Sequence, residues 1–503
     1  MIHRIRRLHG WIALLCICGT LGAQDKPRDR YEWFLEVRRG PDGFVPGGLR
    51  LQAYKDLERM RLLRDAKTKQ TKPGQPISST DWTLIGPMPT NPGANAVSGR
   101  VSALAVDPRN PDVAYAGGAE GGIWKTTDAG AHWVPLTDNQ PSLASGSIAL
   151  DPSNPDIVYV GTGEGNQCGD CYYGAGILKS TDGGNTWTQL VEPFVQLTGR
   201  TAFIGALAVQ PSNGQVVLAG VSLTSRTATT IGGIYRSTDG GSNWTRVLSG
   251  TRGNEVFFDA ADPKTAWAAI QGSAAVPGGG VYKSTDAGAT WTPVTGTDPN
   301  TLPSQNVARI ALAQAPSQAG TLYASIADLS SPSGGTLLGV YKTTDGGQNW
   351  SKLTLQGVPQ QDYCRQQCWY DNVLSVAPTN PNVVYAGGIA LYRSTDGGGN
   401  WTQVSGLHVD QHAQAWAKGG TRLYLGNDGG VWSTNDGTAA SVALNNLNST
   451  LAITEFYPSM SINPGDVTLG LGGTQDNNVQ RYSGSIAWNT ATCGDGGDRK
   501  SVV

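Results

Sequence analysis

The sequence predicts an all-β protein, a β-propeller of four-stranded blades, and three observations carry this prediction. A phrase of the form Ser/Thr-Thr-Asp-x-Gly-x-x-Trp recurs between residues 126 and 401. Its copies lie about 50 residues apart, which is the period of a propeller blade and not of a helical solenoid. Glycine is abundant, with 68 of 503 residues, beside 15 Trp and 17 Tyr, as expected of short strands joined by tight turns.

The aspartate of the recurring phrase, which we call the repeat turn, is predicted to be structural. Its carboxylate can accept backbone N–H groups across a hairpin tip, while glycine supplies a positive φ and Trp packs on the blade. The intact copies place this carboxylate at Asp128, Asp182, Asp239, Asp286, Asp345 and Asp396. A decayed copy at 433–437 marks a further unit.

Each unit is predicted to contain four strands, which in the first unit are residues 102–106, 113–117, 123–126 and 133–136. An Asn-Pro turn joins the first two strands, and the repeat turn joins the last two. Because the strands alternate in direction, these two turns share one face, here called the turn face. The other connections share the opposite face, the loop face.

The organisation predicted outside the repeats has several parts. An eighth unit without a proper repeat turn is traced over 456–488, and residues 81–85 resemble a last strand that closes the ring. We therefore expect a propeller over 81–497 with seven or eight visible blades, and up to ten in an intact protein. Residues 50–67 have the pattern of an amphipathic helix, within an N-terminal helical segment and linker over 24–80.

The two termini carry processing features. Arg4, Arg6 and Arg7, an apolar run and Ala23 have the order of a signal peptide over 1–23, which predicts a secreted protein. A lipoprotein signal is the competing interpretation. Residues 498–503 break the blade pattern and match a reading frame of a sequencing adapter, so we expect a truncated fragment with a non-native tail.

Charge and cysteine content narrow the classes of partner. A formal net charge of -2 with 15% charged residues favours neither a nucleic-acid partner nor membrane insertion of the mature chain. In an oxidising compartment, local disulfides are favoured over a redox or zinc pair at the two close-spaced pairs, Cys168 with Cys171 and Cys364 with Cys368. Cys493 has no evident partner.

At the repeat turns the sequence resembles the BNR or Asp-box superfamily. Residues 110–128 look most like the branch of sortilin-type receptors and xyloglucanase-like glycoside hydrolases of family 74. The resemblance covers roughly residues 80–490 and implies the fold more strongly than an activity. The Arg-Ile-Pro signature that opens sialidase catalytic domains is absent, which disfavours a sialidase.

Function is expected on the loop face. At the tip between the second and third strands, only three units carry an acid, and these acids are Glu120, Asp428 and Asp476. The resemblance to xyloglucanases implies that Glu120 and Asp428 form the two-carboxylate pair of a glycosidase, with Asp476 a weaker candidate. The alternative is that these acids satisfy N–H groups of the hairpin tip.

Three further segments carry candidate ligand-binding residues on the same face. Along an extended chain, His408, Asp410 and His412 would share one side, as a hydrogen-bonded network or, alternatively, a metal site. Two long connections suit stacking on sugar rings or gripping a peptide; their candidate residues are Glu164, Asp170, Tyr172, Tyr173, Asp362, Trp369, Tyr370 and Asp371. The alternative for Trp369 and Tyr370 is that they begin a strand and face the core.

We therefore expect a propeller that binds an extracellular glycan or peptide ligand on the loop face, in the manner of sortilin-type receptors. The alternative is a hydrolase acting on an extracellular polysaccharide. No metal or other cofactor is expected in either case.

Overall fold

The computed structural model describes residues 49–68, 84–166, 168, 171–195, 202–223, 232–271, 279–330, 335–492 and 496. The predicted signal peptide, Asp170, Cys493 and the tail 498–503 lie outside the described residues.

One helix precedes the strands. The helix α1 (Leu49–Thr68) matches the predicted bounds of 50–67, but Leu57 and Leu62 are exposed, so the apolar stripe is not buried. The hydroxyl of Tyr54 donates to the carbonyl of Asn139 (2.8 Å). No described helix is long and apolar enough to span a membrane.

Among the described residues, eight antiparallel four-stranded units follow, and the predicted all-β propeller is confirmed. A single bridge between Ser222 and Arg252 joins the third and fourth units, but each is called a sheet below. The first two units contain β1 (Val101–Val106), β2 (Ala114–Gly118), β3 (Ile123–Thr126), β4 (Val134–Pro135), and β5 (Ser145–Leu150), β6 (Val158–Thr162), β7 (Ile177–Ser180), β8 (Thr188–Leu190). The third and fourth contain β9 (Ala202–Val209), β10 (Val217–Leu223), β11 (Gly233–Ser237), β12 (Thr245–Ser249), and β13 (Arg252–Phe258), β14 (Ala266–Gln271), β15 (Gly280–Ser284), β16 (Thr292–Pro293).

The remaining strands continue this pattern after a small hairpin, β17 (Gly296–Thr297) and β18 (Asn300–Thr301). The fifth and sixth sheets contain β19 (Val307–Gln314), β20 (Leu322–Asp328), β21 (Leu337–Thr343), β22 (Ser351–Lys352), and β23 (Val373–Val376), β24 (Val384–Gly387), β25 (Leu391–Ser394), β26 (Trp401–Val404). The seventh and eighth contain β27 (Gln411–Trp416), β28 (Leu423–Asn427), β29 (Gly430–Thr434), β30 (Asn445–Asn446), and β31 (Phe456–Ile462), β32 (Leu469–Thr474), β33 (Val479–Ser483), β34 (Asn489–Thr492).

Seven of these sheets form a closed ring. The inner strand β1 packs against β5 on one side and against β27 of the seventh sheet on the other. The hydroxyl of Tyr115 in the first sheet donates to a carbonyl of the second (Gly183, 3.1 Å). Tyr424 in the seventh sheet donates to the Asn-Pro turn of the first (Pro111, 2.9 Å), so the seventh and first sheets are also in contact.

Residues 81–83 of the strand predicted to close the ring lie outside the described residues, and the described residues that follow do not join the seventh sheet. In the described part of this N-terminal segment, Thr90 forms a parallel bridge with Trp488, and the amide of Met88 donates to Ile486 (2.8 Å). The segment therefore extends the outer edge of the eighth sheet. The seventh sheet needs no strand from it, because β27 to β30 supply all four of its strands.

The turn face is held by one hydrogen bond that recurs in all seven sheets of the ring. The amide after the repeat-turn aspartate donates to a carbonyl of the turn between the first and second strands, as from Gly183 to Asp156 (2.8 Å) and Gly240 to Gln215 (2.9 Å). Both turns of a sheet therefore lie side by side on one face, as the alternation of strands predicts.

The repeat-turn carboxylates are satisfied within their own turns. Asp182 accepts from the hydroxyl of Ser180 (2.8 Å) and from the amide and hydroxyl of Thr186 (2.9 and 2.6 Å). Bonds from the residue four places on and from the preceding Ser or Thr lower the pKa to about 2 at Asp128, Asp182, Asp239 and Asp345. Asp286 and Asp396 accept the corresponding bonds.

Candidate functional site

A buried network rich in acids lies under the loop face, where the first, second, sixth and seventh sheets meet the eighth. We call it the acidic network, and its members are Arg100, Glu164, Tyr370, Asp371, Asp410, His412, Asp428, Glu455 and Asp476. All of them lie in the connections of the loop face or at the first residues of inner strands.

Asp428 is the centre of the network. It lies in the turn between β28 and β29, is 1% exposed, and accepts the hydroxyl of Tyr370 at both carboxylate oxygens (2.9 and 3.2 Å). Burial raises its pKa, but His412, the charge of Arg100 and a hydrogen bond from Asp476 outweigh burial and lower the pKa to about 2. Asp428 is therefore ionised near neutral pH.

Arg100 joins three sheets. It immediately precedes β1, is 4% exposed, and forms ion pairs with Glu164 of the second sheet (3.0 Å) and Glu455 before the eighth (3.1 Å). Its guanidinium also donates to the hydroxyl of Tyr370. Burial lowers its pKa, but the charges of Glu164 and Glu455 raise it well above the usual value, so the cation is fixed.

His412 connects Asp428 with the interior of the ring. Its Nε2 lies 2.6 Å from Asp428 Oδ1, and its ring packs edge-on against Tyr370 (4.6 Å between centroids). Burial lowers its pKa, and this outweighs the attraction of Asp428, so the imidazole is neutral with Nε2–H donating. Its Nδ1 is then an acceptor, and no described residue donates to it.

Asp371 and Asp410 form a second pair of acids. Asp371 is completely buried, and burial together with Asp410 raises its pKa well above the usual value. Burial and the charge of Asp428 raise the pKa of Asp410 to about 7. Gln367 Nε2 donates to Asp410 (3.3 Å). Near neutral pH, the network therefore contains both an ionised carboxylate and protonated carboxyl groups.

The three predicted catalytic acids all lie on the loop face. Asp428 and Asp476 share a hydrogen bond, whereas half-buried Glu120 occupies the equivalent turn in the next sheet of the ring. Hydrogen-bonded carboxyl groups lie closer together than the roughly 5 Å of a retaining glycosidase pair. Asp428 and Asp476 therefore form one hydrogen-bonded pair in this conformation.

His408, Asp410 and His412 do not share one side, contrary to the expectation of an extended chain. The strand β27 begins only at Gln411, and Asp410 has a left-handed backbone (φ 63°) that breaks the alternation. His412 therefore reaches Asp428, Asp410 reaches Asp371, and His408 Nδ1 lies 3.2 Å from the carbonyl of Val409.

The first long connection contributes one carboxylate and two aromatic rings. Glu164 is buried against Arg100, while Tyr172 and Tyr173 are half-buried and the ring of Tyr173 packs on Phe203 (5.7 Å). Cys168 and Cys171 form a disulfide beside Glu164, so their sulfurs cannot act as thiolate ligands.

The second long connection is more buried than we expected of aromatic rings that stack on a ligand. Tyr370 and Asp371 are buried, because the loop that the Cys364–Cys368 disulfide closes folds over the propeller. Trp369 is half-buried, and the centroid of its indole lies 5.4 Å from that of the Tyr370 ring. Asp362 accepts the amides of the loop's own residues 364 and 365 (2.9 and 3.1 Å), which is a turn-stabilising role.

Arg100 and Glu455 belong to the site but were absent from the sequence prediction. They lie beside the inner strands and not at the compared hairpin tips. The available signal was a charged residue at the start of an inner strand that is otherwise apolar or small, as in residues 100–106. The same signal identifies Arg252, Glu255 and Arg309.

The fold and the site together define a closed β-propeller in which the turn face has a structural role and a network of ionisable groups lies under the loop face. Comparison with known proteins agrees with this class. The DUF6242 β-propeller domain family matches residues 227–414.

A xyloglucanase of Paenibacillus sp. is 27% identical over 281 residues, covering 47% of this chain and 25% of that protein. The xyloglucanase Xgh74A of Acetivibrio thermocellus is 26% identical over 396 residues, covering 70% of this chain and 45% of that protein. The chain thus spans less than half the length of these curated relatives.

Two solved structures share the fold. The family 74 xyloglucanase of Xanthomonas campestris gives a TM-score of 0.53 at 19% identity, over 79% of this chain and 69% of that one. An ancestral family 74 enzyme gives 0.59 at 18% identity, over 82% and 56%. The chain is thus similar in sequence to xyloglucanases and shares a β-propeller fold with family 74 enzymes.

Proposed function

We propose that the chain is the glycan-binding propeller of a secreted protein, with a polysaccharide of the xyloglucan class lying across the loop face. The observation that carries the proposal is the acidic network, in which five sheets contribute ionisable groups to one buried cluster under that face. The repeat-turn aspartates of the turn face, by contrast, are satisfied singly by their own turns. Similarity to xyloglucanases supports a glycan as the ligand.

Titration calorimetry of the whole chain with xyloglucan oligosaccharides tests the proposal. A Trp369→Ala variant removes the half-buried ring beside the network, and we expect about tenfold weaker binding from lost stacking. Trp291→Ala, in a repeat turn of the turn face, is the matched control and should leave the affinity unchanged. Equal losses in the two variants, or binding of peptides and of no glycan, would overturn the proposal.

A second candidate function, glycoside hydrolysis, is favoured by the separated pKa values of two neighbouring acids. The pKa of about 7 at Asp410 suits a general acid, and the pKa of about 2 at Asp428 suits an ionised partner. Their backbones are in contact, since the amide of Asp428 lies 3.3 Å from the carbonyl of Asp410.

A reducing-end assay on the same oligosaccharides tests hydrolysis. If Asp410 is the acid, the hydrolysis rate should fall as pH rises through 7. The Asp410→Asn variant should hydrolyse the oligosaccharides at least about 100-fold more slowly. Asp182→Asn, on the turn face, should not change the rate. Activity that persists in both Asp410→Asn and Asp428→Asn would refute this pair.

A further inference from the structure

The inner strands of the ring enclose a polar cavity of about 80 Å³, which we call the central pocket. Its walls are residues of the inner strands at the end near the loop face, together with residues beside them such as Asn166 in the connection after β6. The residues that matter below are Asn166, Glu255, Arg309 and His412. These side chains come from four different sheets, so the pocket exists only in the closed ring.

Arg309 is a cation held by neutral groups. Its guanidinium donates to the carbonyl of Tyr370 and to Asn166 Oδ1 (3.3 Å). Burial lowers its pKa, against the attraction of Asp371 and Glu255. An arginine in such a place attracts an anion, because its partners satisfy its hydrogen bonds without neutralising its charge.

Arg252 adds a second positive charge at the start of β13. Among the described residues, none forms a hydrogen bond or ion pair with its guanidinium, and burial together with the repulsion of Arg309 lowers its pKa to about 10. Glu255 lies on the same strand as Arg252, and burial raises its pKa to about 7 despite the charge of Arg309 on β19. Near neutral pH, the two guanidinium groups are therefore charged, while Glu255 is partly protonated.

His412 contributes a hydrogen-bond acceptor to the same pocket. Its side chain is completely buried, its Nε2–H is taken by Asp428, and its Nδ1 accepts from no described residue. An occupant of the pocket would have to bring a hydroxyl or amine donor to this nitrogen.

We propose that the central pocket binds the carboxylate end of a uronic acid residue of a glycan, the carboxylate lying by Arg309 and a ring hydroxyl donating to His412 Nδ1. Arg252 precedes the lining residue Gly253 and adds positive charge beside the pocket. The carboxylate supplies the missing negative charge, and the protonated Glu255 donates to it. This inference rests on the proposed function and narrows its substrate class to acidic glycans.

Calorimetry of the whole chain with digalacturonate and with its methyl ester tests the inference, since the two ligands differ in charge and share the sugar ring. The acid should bind at least about tenfold tighter at pH 6. Arg252→Gln should weaken this preference, whereas Arg481→Gln, which is exposed on β33 of the eighth sheet, should preserve it.

The pH dependence gives a second test. Binding of the acid should weaken from pH 6 to pH 8, because ionised Glu255 repels the ligand, and Glu255→Gln should remove this trend. Equal binding of acid and ester overturns the inference. Binding of neutral xyloglucan without preference for the acid overturns it but leaves the proposed function, and binding of no glycan, or only of peptides with a free carboxylate, refutes both.

Discussion

The carboxylate of Asp428 connects several side chains of the loop face. It is an ionised carboxylate with almost no exposure, surrounded by the Tyr370 hydroxyl, the His412 imidazole, the Asp476 carboxyl and, further off, the charge of Arg100. Removing such an acceptor leaves buried donors unsatisfied, which costs more than the bond itself contributes.

We expect Asp428→Asn to lower the free energy of unfolding by about 3 kcal/mol, because the amide replaces an ionised acceptor beside a fixed cation. Denaturant titration followed by fluorescence measures this loss. Asp466→Asn, in an exposed turn of the eighth sheet, is the matched control and should change stability little. A loss no greater than that of the control would show that the network contributes nothing to the fold.

The raised pKa of Asp410 predicts how the stability of the fold depends on pH. Its folded pKa is raised to about 7, while an unfolded aspartate titrates near 4, so the folded state holds the proton more tightly. The stability that this group contributes is complete below about pH 4 and is lost as pH rises through 7.

Unfolding free energies measured between pH 5 and pH 7.5 should therefore fall less steeply in Asp410→Asn than in the unaltered chain. Asp182→Asn serves as the control, since burial does not affect that exposed carboxylate and its pKa is lowered to about 2. Over this range Asp182 is ionised in both states and adds no slope. Identical slopes in Asp410→Asn and the unaltered chain would contradict the raised pKa.

At the scale of residues, the sequence placed the acids on a face but not in contact with one another. Asp428 and Asp476 could be found because each unit has the same hairpin tip to compare. Arg100 could not be found that way, since its partners Glu164 and Glu455 lie 64 and 355 residues away in sequence. Long-range ion pairs of this kind depend on ring geometry, which a repeat pattern does not specify.

Neighbouring sheets are held together by a recurring Tyr on the second strand. Its hydroxyl donates to the repeat turn of the next sheet, as from Tyr159 to Gly240 (3.1 Å) and Tyr323 to Gly397 (3.1 Å). A Lys on the third strand lies over the ring, with Lys179 Nζ 5.2 Å from the Tyr159 centroid. The same carbonyl of Gly240 also accepts from this Lys (2.7 Å).

Tyr159→Phe and Tyr424→Phe should each lower the free energy of unfolding by about 1 kcal/mol, through loss of one buried hydrogen bond. Similar losses are expected because each hydroxyl donates one hydrogen bond to a turn of the next sheet, Tyr424 to the Asn-Pro turn of the first. Tyr392→Phe, whose hydroxyl bonds to no other described residue, is the control. Thermal unfolding measures all three variants. If Tyr159→Phe lowered the free energy of unfolding and Tyr424→Phe did not, ring closure at seven sheets would be contradicted.

At the scale of elements, the period and the alternation of strands predicted the four-stranded units and the two faces well. The third strand of the first unit, for example, was predicted over 123–126 and runs from Ile123 to Thr126. The end of the ring was less predictable, because residues 81–85 carry a strand pattern without specifying which sheet they join. The described residues that follow pair with the eighth sheet, where Trp488 is fully buried.

For the whole molecule, ring closure at seven sheets assigns the eighth a different role. Its residues meet the loop face beside the site, since Glu455 pairs with Arg100 and Asn477 Nδ2 donates to the carbonyl of Asp428 (2.8 Å). The acidic network is therefore bounded by the ring on one side and by the eighth sheet on the other. A ligand on the loop face would contact both.

Amide hydrogen exchange with and without a bound glycan tests the central claim, that the loop face is the ligand-binding face. We predict slower exchange on ligand addition in residues 171–173, 362–371 and 405–412, which belong to the loop face. Residues 107–113 and 180–187 of the turn face should exchange at unchanged rates. Protection confined to the turn face, or spread equally over both faces, would contradict the account.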